Sequence, residues 1–200
     1  MAKQIIAIDI DDTIADSTES LRRRVNELHD LSITSEDYRA PDDYLYYYER
    51  LWKKHGLDLT LEDLEGEMEL SQGHIPLTAG AGVALTELSK RFKIILITAR
   101  NASWEKATKE WLHTHFADTV VEVHFSESPR YSTGKKSKGE LCRELGVSWL
   151  IDDNPGHCQS AVDEGVEAIL FGEFGWHHNA PDHLTRCKDW PAVLDYFGGK

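Results

Sequence analysis

The stretch Ile5-Ile6-Ala7-Ile8-Asp9-Ile10-Asp11-Asp12-Thr13 carries the fold in miniature. A short apolar run rich in Ile suits a β-strand, and its lack of clean alternation is what a parallel strand shows when helices cover both faces. The run passes directly into acidic residues. Those charges therefore stand at the strand's carboxyl end, where open α/β sheets bind ligands. Asp9 and Asp11 are two residues apart, so on a regular strand both carboxylates point to one face and can share a ligand. Two unit charges about 4 Å apart repel by roughly 4 kcal/mol at an effective dielectric near 20, and a phosphate dianion adds to this. A divalent cation removes the conflict, and ligation by carboxylate oxygens alone suits magnesium.

Working outward, further apolar runs of strand length occur at Lys93 to Thr98, Val120 to Phe125, Trp149 to Ile151 and Ala168 to Phe171. Amphipathic stretches separate them. Val83, Leu85 and Leu88 precede the second run, and Trp104, Ala107, Trp111 and Leu112 follow it, at the spacing of one helix face. Leu141 and Leu145 lead to Gly146, a helix-terminating glycine. Asp189 caps a last helix with Pro191 in its first turn and Val193, Leu194 and Phe197 on its apolar face. This alternation from Thr78 onward predicts an α/β domain with a mainly parallel sheet. Residues 17–76 break the rhythm. Leu21, Val25 and Leu28, then Leu45 to Trp52, then Leu61, Leu64 and Met68 follow helical spacing, and Thr60 with Asp63 forms a capping box. The segment reads as a helical insertion placed directly after the first strand.

The bulk properties narrow the function. Two hundred residues suffice for one generous domain or a core carrying a smaller insertion. Asp and Glu outnumber Lys and Arg by 35 to 22, and a net charge of -13 repels nucleic acid polymers and anionic membrane surfaces alike. The apolar runs are too short to span a bilayer, and acidic residues arrive too early for a secretory signal, so a cytoplasmic location is expected. Cys142, Cys158 and Cys187 include no C-x-x-C pair and are expected to be buried thiols.

Two further strand ends carry polar groups in a telling order. Thr98 closes the run from Lys93, and Asp152 and Asp153 follow the run from Trp149; between them lies Lys135-Lys136-Ser137-Lys138. Asp-x-Asp-x-Thr, an apolar strand with Thr, a Lys, and an apolar strand with Asp-Asp together resemble the four ordered motifs of the haloacid dehalogenase-like (HAD) superfamily. The resemblance spans roughly Ile5 to Asn154. It implies a Rossmann-like catalytic core over 1–16 and 77–200, with helices on both sheet faces, and a helical cap over 17–76.

The same resemblance implies magnesium-dependent hydrolysis of a phosphomonoester, with Asp9 as the nucleophile that is transiently phosphorylated. Asp11 is then acid and base, and its backbone carbonyl ligates the metal. Thr98 bonds the phosphoryl oxygens. Lys136 is the preferred motif lysine because Ser137 can cap the helix that follows, with Lys138 the competitor. Asp9, Asp11 and Asp153 would ligate magnesium, with Asp152 beside them, or with the order of Asp152 and Asp153 reversed.

The substrate expected is a small phosphorylated metabolite. Ala15-Asp16, Leu150 to Asp153 and the Phe171 to Trp176 stretch resemble the 5'(3')-deoxyribonucleotidase group, and Tyr44, Tyr46, Tyr47, Tyr48 and Trp52 could stack on a base or pack the cap. A nucleoside monophosphate is the first expectation. A phosphosugar or other metabolite is the alternative within the same chemistry, and a noncatalytic phosphate-binding regulator the alternative outside it. Arg100 is expected in a surface ion pair, His177 and His178 in a polar loop, and Arg22 to Arg24 on a solvated helix face.

Overall fold

The computed structural model describes residues 3–66, 68, 72–117, 119, 122–128, 130 and 134–199. Six parallel strands form one sheet: β1 (Ile5–Ile8), β2 (Lys93–Thr98), β3 (Val123–Phe125), β4 (Val147–Asp152), β5 (Glu167–Phe171) and β6 (Thr185–Cys187), in spatial order β3-β2-β1-β4-β5-β6. The order reverses at β1, which pairs with both β2 and β4. The carboxyl end of β1 therefore faces the crevice in which such sheets bind ligands.

Alternate residues of the central strands feed two separate cores. Ile6, Ile8, Ile94, Leu96, Trp149 and Ile151 face α3 (Ala81–Arg91), α4 (Glu105–Phe116) and α7 (Trp190–Gly198). Ala7, Ile95, Ile97 and Leu150 face α5 (Lys138–Leu145) and α6 (Pro155–Asp163). Burial on both faces explains the near-continuous apolar runs. The predicted caps form: Asp189 accepts from the Ala192 amide, Ser137 and Glu140 make a capping box, and Gly146 ends α5 at φ 68°. Two elements escaped the sequence reading. α6 was signalled only by Asn154 as cap and Pro155 in the first turn, and β6 is a three-residue edge strand with Thr185 and Arg186 exposed. Of the predicted strand from Val120, residues 120 and 121 lie outside the described residues.

Residues 17–76 hold α1 (Ser17–His29), α2 (Tyr47–Lys54) and short 3-10 turns at Asp37–Arg39, Glu62–Leu64 and Gln72–His74, with no strand among the described residues. Thr60 and Asp63 bond reciprocally ahead of the second turn. Leu21, Val25, Ile33, Tyr38, Leu51 and Trp52 form a third core. Trp176 of the sheet-bearing part belongs to it, since a side chain at Gly175 would run into the Ala40 carbonyl and the Tyr47 hydroxyl. The five aromatics do not share one helix: Tyr44 and Tyr46 precede α2, where Tyr46 takes a left-handed φ of 60°. All three cysteines are buried and free, and no described helix is long and apolar enough to cross a membrane.

Candidate active site

β1 hands its direction to Asp9, whose amide donates to the Ile151 carbonyl at 2.9 Å and extends the ladder by one residue. The chain then turns sharply. The Ile10 carbonyl accepts from the amides of Thr13, Ile14 and Ala15, and Asp12 adopts φ 56°. Trp190 of α7 braces this turn by donating to the Thr13 carbonyl at 3.1 Å. Asp12 accepts from the Thr18 amide and hydroxyl at 2.8 and 2.7 Å, tying the turn to the start of α1. Burial pushes its carboxyl up to about 7.

Asp9, Asp152 and Asp153 converge, each presenting an oxygen within 4.8 Å of the others. Lys138 enters this cluster, with Nζ 2.7 Å from Asp9 and 2.6 Å from Asp152. His157 Nδ1 lies 3.2 Å from the second oxygen of Asp152, which also accepts from the Asn154 amide. Burial pushes Asp9 up to about 7 against the pull of Lys138, while for Asp152 the ammonium and His157 overcome burial and bring the carboxyl down to about 2. Asp153 has no lysine or arginine partner among the described residues, and burial beside Asp152 and Asp9 raises its carboxyl well above the usual range. One ammonium offsets only one of three carboxylates. The surplus negative charge and all-oxygen donor set fit a hard divalent cation such as magnesium.

The reach of Lys138 follows from helix packing. It occupies the first position of α5, just inside the Ser137 cap, and α5 lies so close to α6 that a side chain at Gly139 would meet the Ser160 carbonyl. Lys136, the lysine preferred from the sequence, does not reach the cluster. It is half exposed and bonds Glu144 at 2.6 Å. Ser137 does cap the helix as expected, but the residue after the cap, rather than the one before it, is carried over the strand ends.

Asp11 also departs from expectation. Its carboxylate faces the same cavity as that of Asp9 but stands outside the trio that Asp9 forms with Asp152 and Asp153. It accepts from Arg100 Nη2 and Nε at 2.6 and 2.8 Å and from the Ser17 hydroxyl at 2.5 Å. The packed surroundings push its carboxyl up, but Arg100 wins and holds it below the ordinary range. Arg100 is no surface residue: its side chain is 1% exposed, and Nη1 reaches the Thr108 hydroxyl at 3.2 Å. Thr98 is buried at the end of β2, fixed by the Ser126 amide on its carbonyl, with its hydroxyl accepting from the Arg100 amide.

His177 is buried rather than set in an open polar loop. Its Nε2 donates to the Asp153 carbonyl at 2.6 Å, and Trp176 Nε1 donates to the same oxygen at 3.1 Å. Two ring N–H groups thus clamp the backbone of Asp153, a contact foreshadowed only by the Phe171 to Trp176 stretch. Arg22 and Arg23 pair with Glu19, and Arg24 with Glu27, as a solvated helix face would.

Above the carboxylates lies a cavity of about 490 Å³ between residues 17–76 and the sheet edge. Asp9, Asp11 and Asp153 line it together with Tyr48, Leu64 and Trp176. Arg130, which pairs with Glu49 and Glu62 and sits 4.9 Å from the Tyr46 ring centroid, joins its two sides.

No protein-family model matches the chain, and no curated protein matches it. Solved structures do. A haloacid dehalogenase-like protein of unknown function from Agrobacterium tumefaciens superposes with a TM-score of 0.65 at 15% identity, over 98% of this chain and 100% of that one. A predicted phosphoglycolate phosphatase from Haemophilus somnus gives 0.64 at 16% identity, over 98% of each chain. The candidate HAD-hydrolase YfnB from Bacillus subtilis, described as bound to magnesium, gives 0.63 at 12% identity, over 98% of this chain and 99% of that one. These likenesses, with the parallel six-stranded sheet and the acidic cluster at its switch point, establish that the chain has the haloacid dehalogenase-like fold.

Proposed function

We propose that the protein is a magnesium-dependent phosphomonoester hydrolase acting through an aspartyl phosphate on Asp9, with residues 17–76 as a cap over the site. The observation that carries this reading is the convergence of Asp9, Asp152 and Asp153 around Lys138 beneath a cavity lined from both residues 17–76 and the sheet-bearing part. Asp153 and Asp9, with the Asp11 carbonyl, would hold the cation, while Asp152 is engaged chiefly in fixing Lys138. Bound magnesium would offset the charge of the phosphate and its developing transition state.

An Asp9 oxygen attacks phosphorus in line, forming a new O–P bond as the bond to the leaving oxygen breaks. Lys138 steadies Asp9 and neutralises part of the added charge. The Thr98 hydroxyl, which accepts from Arg100, still has its proton to donate to a phosphoryl oxygen. Asp11 protonates the leaving oxygen, then takes a proton from the water that attacks the aspartyl phosphate and releases Asp9. Paired with Arg100, Asp11 is an ionised acceptor, the form the hydrolytic half-reaction needs. For the first half the carboxyl arrives protonated, which an incoming phosphate dianion favours by opposing a second negative charge beside it.

The leading substrate is a nucleoside monophosphate, supported by the aromatic side chains around the cavity. Turnover of p-nitrophenyl phosphate with magnesium tests the class of reaction, and a panel of phosphorylated metabolites tests the substrate. No turnover with any divalent metal favours a noncatalytic phosphate binder. Sugar phosphates outperforming every nucleotide favour the phosphosugar reading.

A further inference from the structure

Three side-chain polar atoms on residues that line the cavity are buried and have no partner among the described residues: His157 Nε2, on the ring whose other nitrogen meets Asp152, and then Gln72 Oε1 and Trp104 Nε1. Gln72 is 2% exposed, and its Oε1 accepts no hydrogen bond. Trp104 Nε1 is buried and donates none. Both residues line the cavity over Asp9. The Gln72 amide is oriented, because its Nε2 donates to the Met68 carbonyl at 3.2 Å and leaves the oxygen as the free end. The turn Gln72–His74 packs on α4, and Trp104 stands immediately before that helix, so the free acceptor and free donor come from neighbouring elements. Buried polar groups are ordinarily satisfied, and an unpaired one in a native cavity points to a missing partner.

The surrounding wall says what kind of partner. Leu64, Ile75, Tyr48 and Trp176 present apolar and aromatic surface to the same space. A phosphosugar would set hydroxyls against these walls, and a plain alkyl or aryl phosphate would leave Gln72 and Trp104 unpaired. A flat heterocycle with an N–H donor and a carbonyl or ring-nitrogen acceptor on its edge satisfies both demands. We infer that Gln72 and Trp104 read the hydrogen-bonding edge of a nucleobase, making them the specificity-determining residues for a nucleoside monophosphate whose phosphate sits at Asp9. This rests on the phosphatase reading. It goes further in assigning base recognition to two residues outside the acidic cluster.

The test is kcat/KM for a panel of nucleoside monophosphates, sugar phosphates and p-nitrophenyl phosphate, with magnesium, in wild type, Gln72→Leu and Trp104→Phe. Wild type should prefer at least one nucleotide over every sugar phosphate. Gln72→Leu should lower the ratio of nucleotide to aryl phosphate turnover by about 10-fold or more, the effect expected of one lost buried hydrogen bond. Trp104→Phe, which keeps an aromatic ring and deletes only the N–H donor with its pyrrole ring, should lower it in the same direction and guards against a folding defect in the first variant. Ratios unchanged in both variants, or a sugar phosphate as best substrate, overturn the inference while leaving the phosphatase reading standing. Wild-type protein inert toward p-nitrophenyl phosphate overturns the phosphatase reading and this inference with it.

Discussion

Arg100 grips Asp11 with two guanidinium nitrogens, Nη2 at 2.6 Å and Nε at 2.8 Å, across 89 positions of sequence. The fork fixes the plane of the carboxylate in a way that a single ammonium cannot. Arg100→Lys is therefore expected to lower kcat on p-nitrophenyl phosphate by about 10- to 100-fold, the scale of acid–base assistance, with little change in KM. Its pH–rate profile should shift relative to wild type. A variant with wild-type kcat and an unshifted profile would remove Arg100 from the mechanism and leave it a packing residue.

The two candidate lysines separate cleanly. Lys138 bridges two buried carboxylates, so Lys138→Met should abolish measurable turnover and cost about 3–5 kcal/mol in denaturant unfolding, because buried charges lose their counterion. Lys136→Ala should leave both quantities near wild type, since it removes only an exposed pair with Glu144. Equal effects of the two substitutions would contradict this assignment.

Asp153 should reveal the cation without any activity assay. Magnesium is expected to raise the melting temperature of wild type, and chelation to reverse the rise. In Asp153→Asn the magnesium-dependent shift should be lost, and the metal-free protein should be more stable than wild type, because a buried carboxylate facing Asp152 and Asp9 has been neutralised. A full magnesium shift in the variant would show that Asp153 is not a ligand.

The clamp on the Asp153 carbonyl makes a graded prediction. His177→Phe deletes the shorter of its two N–H donors and should raise the magnesium concentration for half-maximal activity by about 10- to 100-fold, the usual effect of loosening a ligand's support. Activity at saturating magnesium should recover substantially. Titration curves that superpose would assign His177 to packing alone.

Glu19 offers a pH test far from the cluster. Its hydrogen bonds to Arg22 and Arg23 bring its carboxyl down from the ordinary 4.5 to about 2. A depressed folded-state value means the stabilisation is complete above about pH 5 and is lost as pH falls toward 2. The unfolding free energy of Glu19→Gln should lie below wild type at pH 6 and converge with it near pH 2. A difference independent of pH would assign the effect to packing.

Much of this architecture is written locally. The apolar runs at Ile5, Lys93 and Trp149 have the length of strands, and the first two lack alternation as parallel strands covered on both faces do. Asp9, Asp152 and Asp153 had to emerge at strand ends, because acidic residues directly follow those runs. The caps at Ser137 and Asp189 were legible for the same reason: they depend on residues three apart. What the tertiary structure alone decided are contacts between distant segments. Strand alternation predicted that Asp11 would face the same way as Asp9, and both line one cavity, but Arg100, 89 positions away, claims the Asp11 carboxylate and leaves it outside the trio with Asp152 and Asp153. The choice between Lys136 and Lys138 depended on how closely α5 approaches α6, and the clamp from Trp176 and His177 on the path of the loop after β5. Periodicity and capping act over a few residues and can be read along the chain; the direction of a side chain beyond a strand's end is set by whatever the fold brings beside it.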